Sequence, residues 1–98
     1  MIRVEIICNQ SIEEDIIEVL ESHGLGENFT CLYPVFGRGR HGRREGSPVW
    51  PEENVIFLLF VEADFRLDTL LENLEVVKRK FTDEGLRCYV ERGVERLI

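Results

Sequence analysis

Seven apolar residues follow one another without interruption from Val55 to Val61 (V-I-F-L-L-F-V), and no other stretch restricts the fold as tightly. The run is far shorter than the roughly 18 apolar residues of a membrane helix. Its β-branched and aromatic content favours a strand. Read as a strand over residues 54–62, it puts Val55, Phe57, Leu59 and Val61 on one face and Ile56, Leu58 and Phe60 on the other. Both faces then need cover. A chain of 98 residues buries only about 60% of its unfolded surface, so it makes one domain, residues 1–98, with little material to cover a sheet twice.

The remaining elements fall into an order around that strand. Residues 2–8 alternate, with Ile2, Val4, Ile6 and Cys8 on one side, which predicts a first strand. Ser11 and Glu14 have the spacing of a capping box and predict a helix with Ile12, Ile16, Ile17, Val19 and Leu20 inward. His23 and Gly24 suit its C-terminal turn. Residues 28–36 predict a second strand, in which Pro34 requires an edge or a bulge. Leu67, Leu70, Leu71, Leu74, Val77 and Phe81 recur at helical spacing, predicting a second helix over 67–84, and residues 87–91 predict a last strand. Strand, helix, strand, strand, helix, strand is the α+β, ferredoxin-like βαββαβ arrangement: a four-stranded antiparallel sheet with both helices on one face. The second face of the third strand is then left bare, and self-association through the sheet is the expected cover.

Between the second and third strands lies a long basic loop, residues 37–53, that suits neither strand nor helix. Residues 36–51 hold four of the eight glycines, two of the three prolines, the only tryptophan and one of two histidines. From Gly37 to Trp50 four arginines stand against Glu45, a local +3 in a chain of net −7, which leaves −10 on the remainder. A basic arm on an acidic body suits an anion or an acidic protein face. Glycines let backbone amides approach an anion, and arginines grip phosphate or carboxylate with two hydrogen bonds. The expected ligand-binding residues are Gly37, Arg38, Gly39, Arg40, His41, Arg43 and Arg44. Arg43, Arg44 and Trp50 are expected to meet a partner protein, since Arg and Trp are enriched at binding hot spots. The competing reading is a solvated polar loop, with Trp50 packed on its base.

Several classes are disfavoured. Cys8, Cys31 and Cys88 form no disulfide framework and no CxxC metal spacing; Cys8 and Cys31 are expected to act as small core residues. Thiols of this kind suggest a reducing, cytoplasmic setting. The N-terminal M-I-R-V-E-I-I interleaves charge with apolar residues, unlike a secretory leader, and no transmembrane segment is expected, although a membrane protein could still be the partner. The acidic body argues against nucleic acid. No Ser/His/Asp or Cys/His set can be assembled, so neither enzymatic activity nor catalytic or metal-ligating residues are expected.

With this element order in place, the chain resembles the PII signal-transduction family (nitrogen regulatory PII proteins), as a divergent short member. Three segments carry the resemblance: Ser11–Leu25, an acidic helix ending in His23-Gly24-Leu25; Phe29–Arg38, a strand leading into Phe36-Gly37-Arg38; and the long loop before an apolar third strand, in the place of the family's T-loop. The resemblance implies a homotrimer whose sheets pack together, ATP or ADP in clefts between subunits, and a loop that reaches partner proteins. The chain also departs from the family. It reads Gly37-Arg38-Gly39-Arg40-His41-Gly42 where the family has a glutamine used for metal and 2-oxoglutarate. Its loop has no tyrosine to modify, and only Thr82-Asp83-Glu84-Gly85-Leu86 occupies the place of the phosphate-binding loop. Of the family's C-terminal arginines, Arg92 and Arg96 are the nearest counterparts. The cofactor is therefore left open between ATP or ADP and a simpler anion. The expected function is a trimeric regulator that binds a small anion or nucleotide and a protein through residues 37–50; the alternative is a CutA-like metal-binding, metal-tolerance protein using His41, Cys31 and Cys8.

Overall fold

The computed structural model describes residues 1–37 and 52–98. Its elements are β1 (Ile2–Asn9), a short 3-10 turn (Gln10–Ile12), α1 (Glu13–Ser22), β2 (Phe29–Gly37), β3 (Glu52–Val61), α2 (Leu67–Lys80) and β4 (Leu86–Arg92). The strands form one antiparallel sheet in the order β2-β3-β1-β4, so β1-α1-β2 and β3-α2-β4 are two interleaved split βαβ units. The expected α+β, ferredoxin-like fold is the one found.

Alternation in the strands builds the core. Ile2, Val4, Ile6 and Cys8 of β1 and Val55, Phe57, Leu59 and Val61 of β3 are all buried, under Ile12, Ile16 and Leu20 from the α1 region and Leu67, Leu70, Leu74 and Val77 of α2. Phe29 of β2 meets Phe57 edge-on, ring centroids 5.4 Å apart, a favoured aromatic geometry. No polar or charged residue is buried among the described residues. The two helices are joined on the outside, where Nδ2 of Asn73 lies 2.7 Å from Nε2 of His23.

Local details differ from the sequence expectations in instructive ways. The capping oxygen at the first helical turn belongs to Asn9, whose Oδ1 accepts from the Ser11 N–H at 3.0 Å, and α1 proper starts only at Glu13 without a side-chain cap. The 3-10 turn shifts the start by one turn, which takes Ser11 out of the capping role. Gly24 ends α1 with φ +72°, the left-handed conformation glycine adopts without strain. Gly26 is held differently: a Cβ there would lie 2.8 Å from the Glu21 side chain. α2 stops at Lys80, short of the expected Glu84, because Phe81 folds back against the core and Glu84 N–H closes a turn on the Phe81 carbonyl. Leu71 is more exposed than its spacing suggests.

β2 is an edge strand, as Pro34 requires, and its pairing with β3 slips between Leu32 and Val35. Cys31 is a correction: it sits on this edge and is exposed, whereas Cys8 is in the core. An edge position leaves Cys31 with a strand neighbour on one side only, so apolar flanks in sequence did not translate into burial.

Candidate functional site

Three features can meet another molecule: the bare sheet face, a cleft at one end of the β2–β3 pair, and the connection that leaves its other end.

The bare face follows from the pleat, since residues directly opposite one another share a face. Across β2-β3-β1-β4 one row reads Leu32, Ile56, Ile7, Arg87; the next Thr30, Leu58, Glu5, Tyr89; and a third, without β2, Phe60, Arg3, Glu91. The β2–β3 half of this surface is mainly apolar: Leu32 is 49% and Phe60 48% exposed, with Ile56 and Leu58 half-buried beside them and Thr30 and Asn54 as its polar members. On β1, Arg3 and Glu5 approach to 3.5 Å. No described element covers this face. Leu32 and Phe60 therefore leave apolar side chains open to solvent on this face.

The cleft, of about 680 Å³, lies where the α1–β2 connection meets the β3–α2 connection. It is lined by His23 to Leu25, Glu27 to Thr30, Leu58, Phe60 to Glu62, Asp64 and Phe65. Phe29 pairs with Leu59, and that register brings two turns distant in sequence to one end of the sheet. The lining contains three carboxylates, Glu27, Glu62 and Asp64, and neither Lys nor Arg. Three carboxylates without a Lys or Arg among them disfavour a phosphate in this cleft. Sequence reading singled out His23, Gly24 and Leu25 as the turn that ends α1, but not the carboxylates Glu27, Glu62 and Asp64, which only the cross-strand register assembles.

At the opposite end, Gly37 pairs with Glu52, Phe36 with Glu53 and Val35 with Asn54. The Tyr33 hydroxyl donates to Glu53 Oε2 at 3.0 Å, which raises the phenol's pKa and clips β2 to β3 just before the connection. Gly37 holds the close approach to β3: a Cβ would lie 3.2 Å from Asn54 Nδ2. Of the expected site residues only Gly37 is thus placed. Arg38, Gly39, Arg40, His41, Arg43, Arg44 and Trp50 lie outside the described residues. From Phe29 to Gly37 the strand covers about 26 Å at ~3.3 Å per residue, so the cleft and the start of the basic segment are at opposite ends of one protomer.

The turn before β4 is short and internally engaged. Asn9 N–H donates to the Gly85 carbonyl at 3.0 Å, and Lys78 Nζ donates to the Glu84 carbonyl at 3.3 Å. Arg92 and Arg96 are exposed, and Arg96 Nε donates to the Ile98 carbonyl at 2.6 Å. Among the described residues no group of three or more His, Cys, Asp or Glu side chains is placed to hold a metal ion. Nor is any described helix long and apolar enough to cross a membrane. Burial pushes the Cys8 thiol up to about 12, helped by Glu13 and Cys31, and raises Cys31 and Cys88 as well; none of the three is an activated nucleophile.

No protein-family model matches the chain, and no curated protein matches it by sequence. Solved structures do. One is CPII, a nitrogen regulatory PII-like protein from Thiomonas intermedia K12, bound to ADP, AMP and bicarbonate; at 20% identity the TM-score is 0.71, over 99% of this chain and 94% of that one. The apo form of CPII matches with a TM-score of 0.62 at 13% identity, over 92% of this chain and 87% of that one. A putative PII-like signalling protein from Thermus thermophilus matches with a TM-score of 0.61 at 23% identity, over 92% of this chain and 83% of that one. The fold is therefore that of PII-like proteins, in agreement with the resemblance read from the residues.

Proposed function

We propose that this chain is a PII-like regulatory protein, assembled as a homotrimer through its bare sheet face, that binds a small anionic ligand between copies and presents residues 37–50 to a partner protein. The observation that carries the reading is the division of labour along the β2–β3 pair. The acidic cleft is at one end, the basic segment starts about 26 Å away at the other, and the apolar face lies between them. Where two copies meet, the cleft of one and the basic segment of the other can share one ligand. The cleft then takes a neutral part such as a nucleobase, and Arg38, Arg40, Arg43 and Arg44 take the phosphates.

The CPII neighbour bound to ADP, AMP and bicarbonate supports an adenine nucleotide as the first ligand to test. Bicarbonate is the second, because it needs only the arginines. The short turn Thr82–Leu86, with two acids and one glycine, offers phosphates few free amides. The arginines of the loop therefore carry more of the anion's charge than the turn does. The regulatory reading, without catalysis, rests on the fold and on thiols that burial holds protonated. Nothing in the described residues adds to the metal-handling alternative.

The test is a thermal-shift comparison of ADP, AMP and bicarbonate on the parent chain and on a variant with Arg38, Arg40, Arg43 and Arg44 all changed to Ala. A rise in Tm with ADP that the variant loses supports the assignment. An equal rise in both removes the arginines from the site.

A further inference from the structure

The two edges of the sheet differ in how they are defended. β2 carries Pro34 and a slip in register between Leu32 and Val35, both of which discourage another strand from pairing. β4 has neither: its register against β1 runs unbroken from Leu86 to Arg92, and no described strand lies on its other side. Asn9 N–H donates to the Gly85 carbonyl at 3.0 Å, and every second pair of an antiparallel ladder repeats that exchange. Arg87, Tyr89 and Glu91 therefore turn their backbone groups to β1, and Leu86, Cys88, Val90 and Arg92 turn theirs outward. The same edge exposes a large apolar side chain on each face of the sheet, Tyr89 at 51% and Val90 at 43%.

We propose that β4 pairs antiparallel with β4 of a second copy about a two-fold axis at Tyr89, joining two sheets edge to edge. The strand, L-R-C-Y-V-E-R, is complementary to itself in this register. Cys88 faces the partner's Val90 and Leu86 the partner's Arg92, so outward backbone groups meet outward backbone groups. Tyr89 faces the partner's Tyr89, and Arg87 faces the partner's Glu91. Arg87 and Glu91 are both exposed, and neither forms an ion pair among the described residues. The two-fold repeats their opposite-charge pair, and each such pair stabilises adjoining strands. An axis at Cys88 would set Arg87 against Tyr89, and an axis at Val90 would set Glu91 against Tyr89. Only the axis at Tyr89 matches the charges and pairs all 7 residues of the strand. That axis stands perpendicular to the sheet, so both copies keep their helices on the same side. The contact does not require the bare face to be covered and goes beyond the function proposed above.

The test is sedimentation equilibrium of the full chain from ~10 µM to ~1 mM, since a single strand edge is a contact at the small end of interface sizes. The expected result is a doubling of the mass seen at the lowest concentration. The doubling is read over whatever species is present there, monomer or larger, so a failure of the sheet-face association is seen separately. Arg87→Glu and Glu91→Arg each set like charges opposite one another twice, and each should weaken the doubling about tenfold or more. Arg87→Glu with Glu91→Arg together restores opposite charges and should return it to the parent's value. All three variants alter exposed side chains, so the far-UV circular dichroism should not change. A mass that stays constant across the range, as when the edge serves another protein's strand, overturns the inference. So does a doubling that the single changes leave intact, or one that the double change fails to restore.

Discussion

Cys8 shows how much one position can carry. Its side chain is 1% exposed, and its thiol stays protonated until about pH 12 against an ordinary 9.0, first through burial and then through Glu13 and Cys31. Between those limits the folded chain keeps a proton that the unfolded chain has lost. The associated stability is whole below about pH 9 and disappears as the pH climbs towards 12. Urea unfolding at pH 8 and pH 11 should thus show a loss of stability that Cys8→Val makes smaller; an unchanged loss in the variant would contradict the assignment. The loss will not vanish, because Cys88 is also raised by burial. At neutral pH a thiol reagent should label exposed Cys31 first and leave Cys8 unlabelled until the chain unfolds. Alternation made Cys8 legible as a core residue. Cys31 was not, because its exposure depends on β2 being an edge. Asn9 was missed as a cap for a similar reason: a 3-10 turn ahead of α1 moves the boundary that Ser11 and Glu14 had marked.

At the scale of elements, β3 organises the molecule. It pairs on both sides, with β2 and β1, and presents its alternate residues to the helices and to the bare face. Phe57 is wholly buried and in contact with Phe29, so Phe57→Ala should cost about 3–5 kcal/mol of stability by denaturant unfolding. Ile56→Ala, on the opposite face, should change the stability of an isolated protomer far less and act mainly on association. Gly24→Ala should cost about 1–2 kcal/mol, since the turn out of α1 needs the left-handed conformation. The order of elements was readable from periodicity and turn residues. The acidic cleft was not, because Glu27, Glu62 and Asp64 come from two connections that meet only through the Phe29–Leu59 register. The basic segment was plain in sequence, and its two stems, Gly37 and Glu52, are where the structure brings it out of the sheet.

For the whole molecule, the asymmetry of cover is the central fact. Two helices shield one side of a four-stranded sheet, and on the other side no described element covers Leu32, Ile56, Leu58 and Phe60. Burying each such side chain stabilises by roughly 1.5–3 kcal/mol, which is large against the roughly 5–15 kcal/mol total stability of an ordinary domain. On the proposed reading the acidic cleft of one copy shares its ligand with the basic segment of another, so the ligand site and the assembly stand or fall together. The most direct test is sedimentation velocity of the full chain at micromolar concentration, beside the Ile56→Asp, Leu58→Asp variant. The account predicts a three-copy species that the variant reduces to a folded monomer. A parent chain that sediments as a monomer, or a variant that stays assembled, would contradict it.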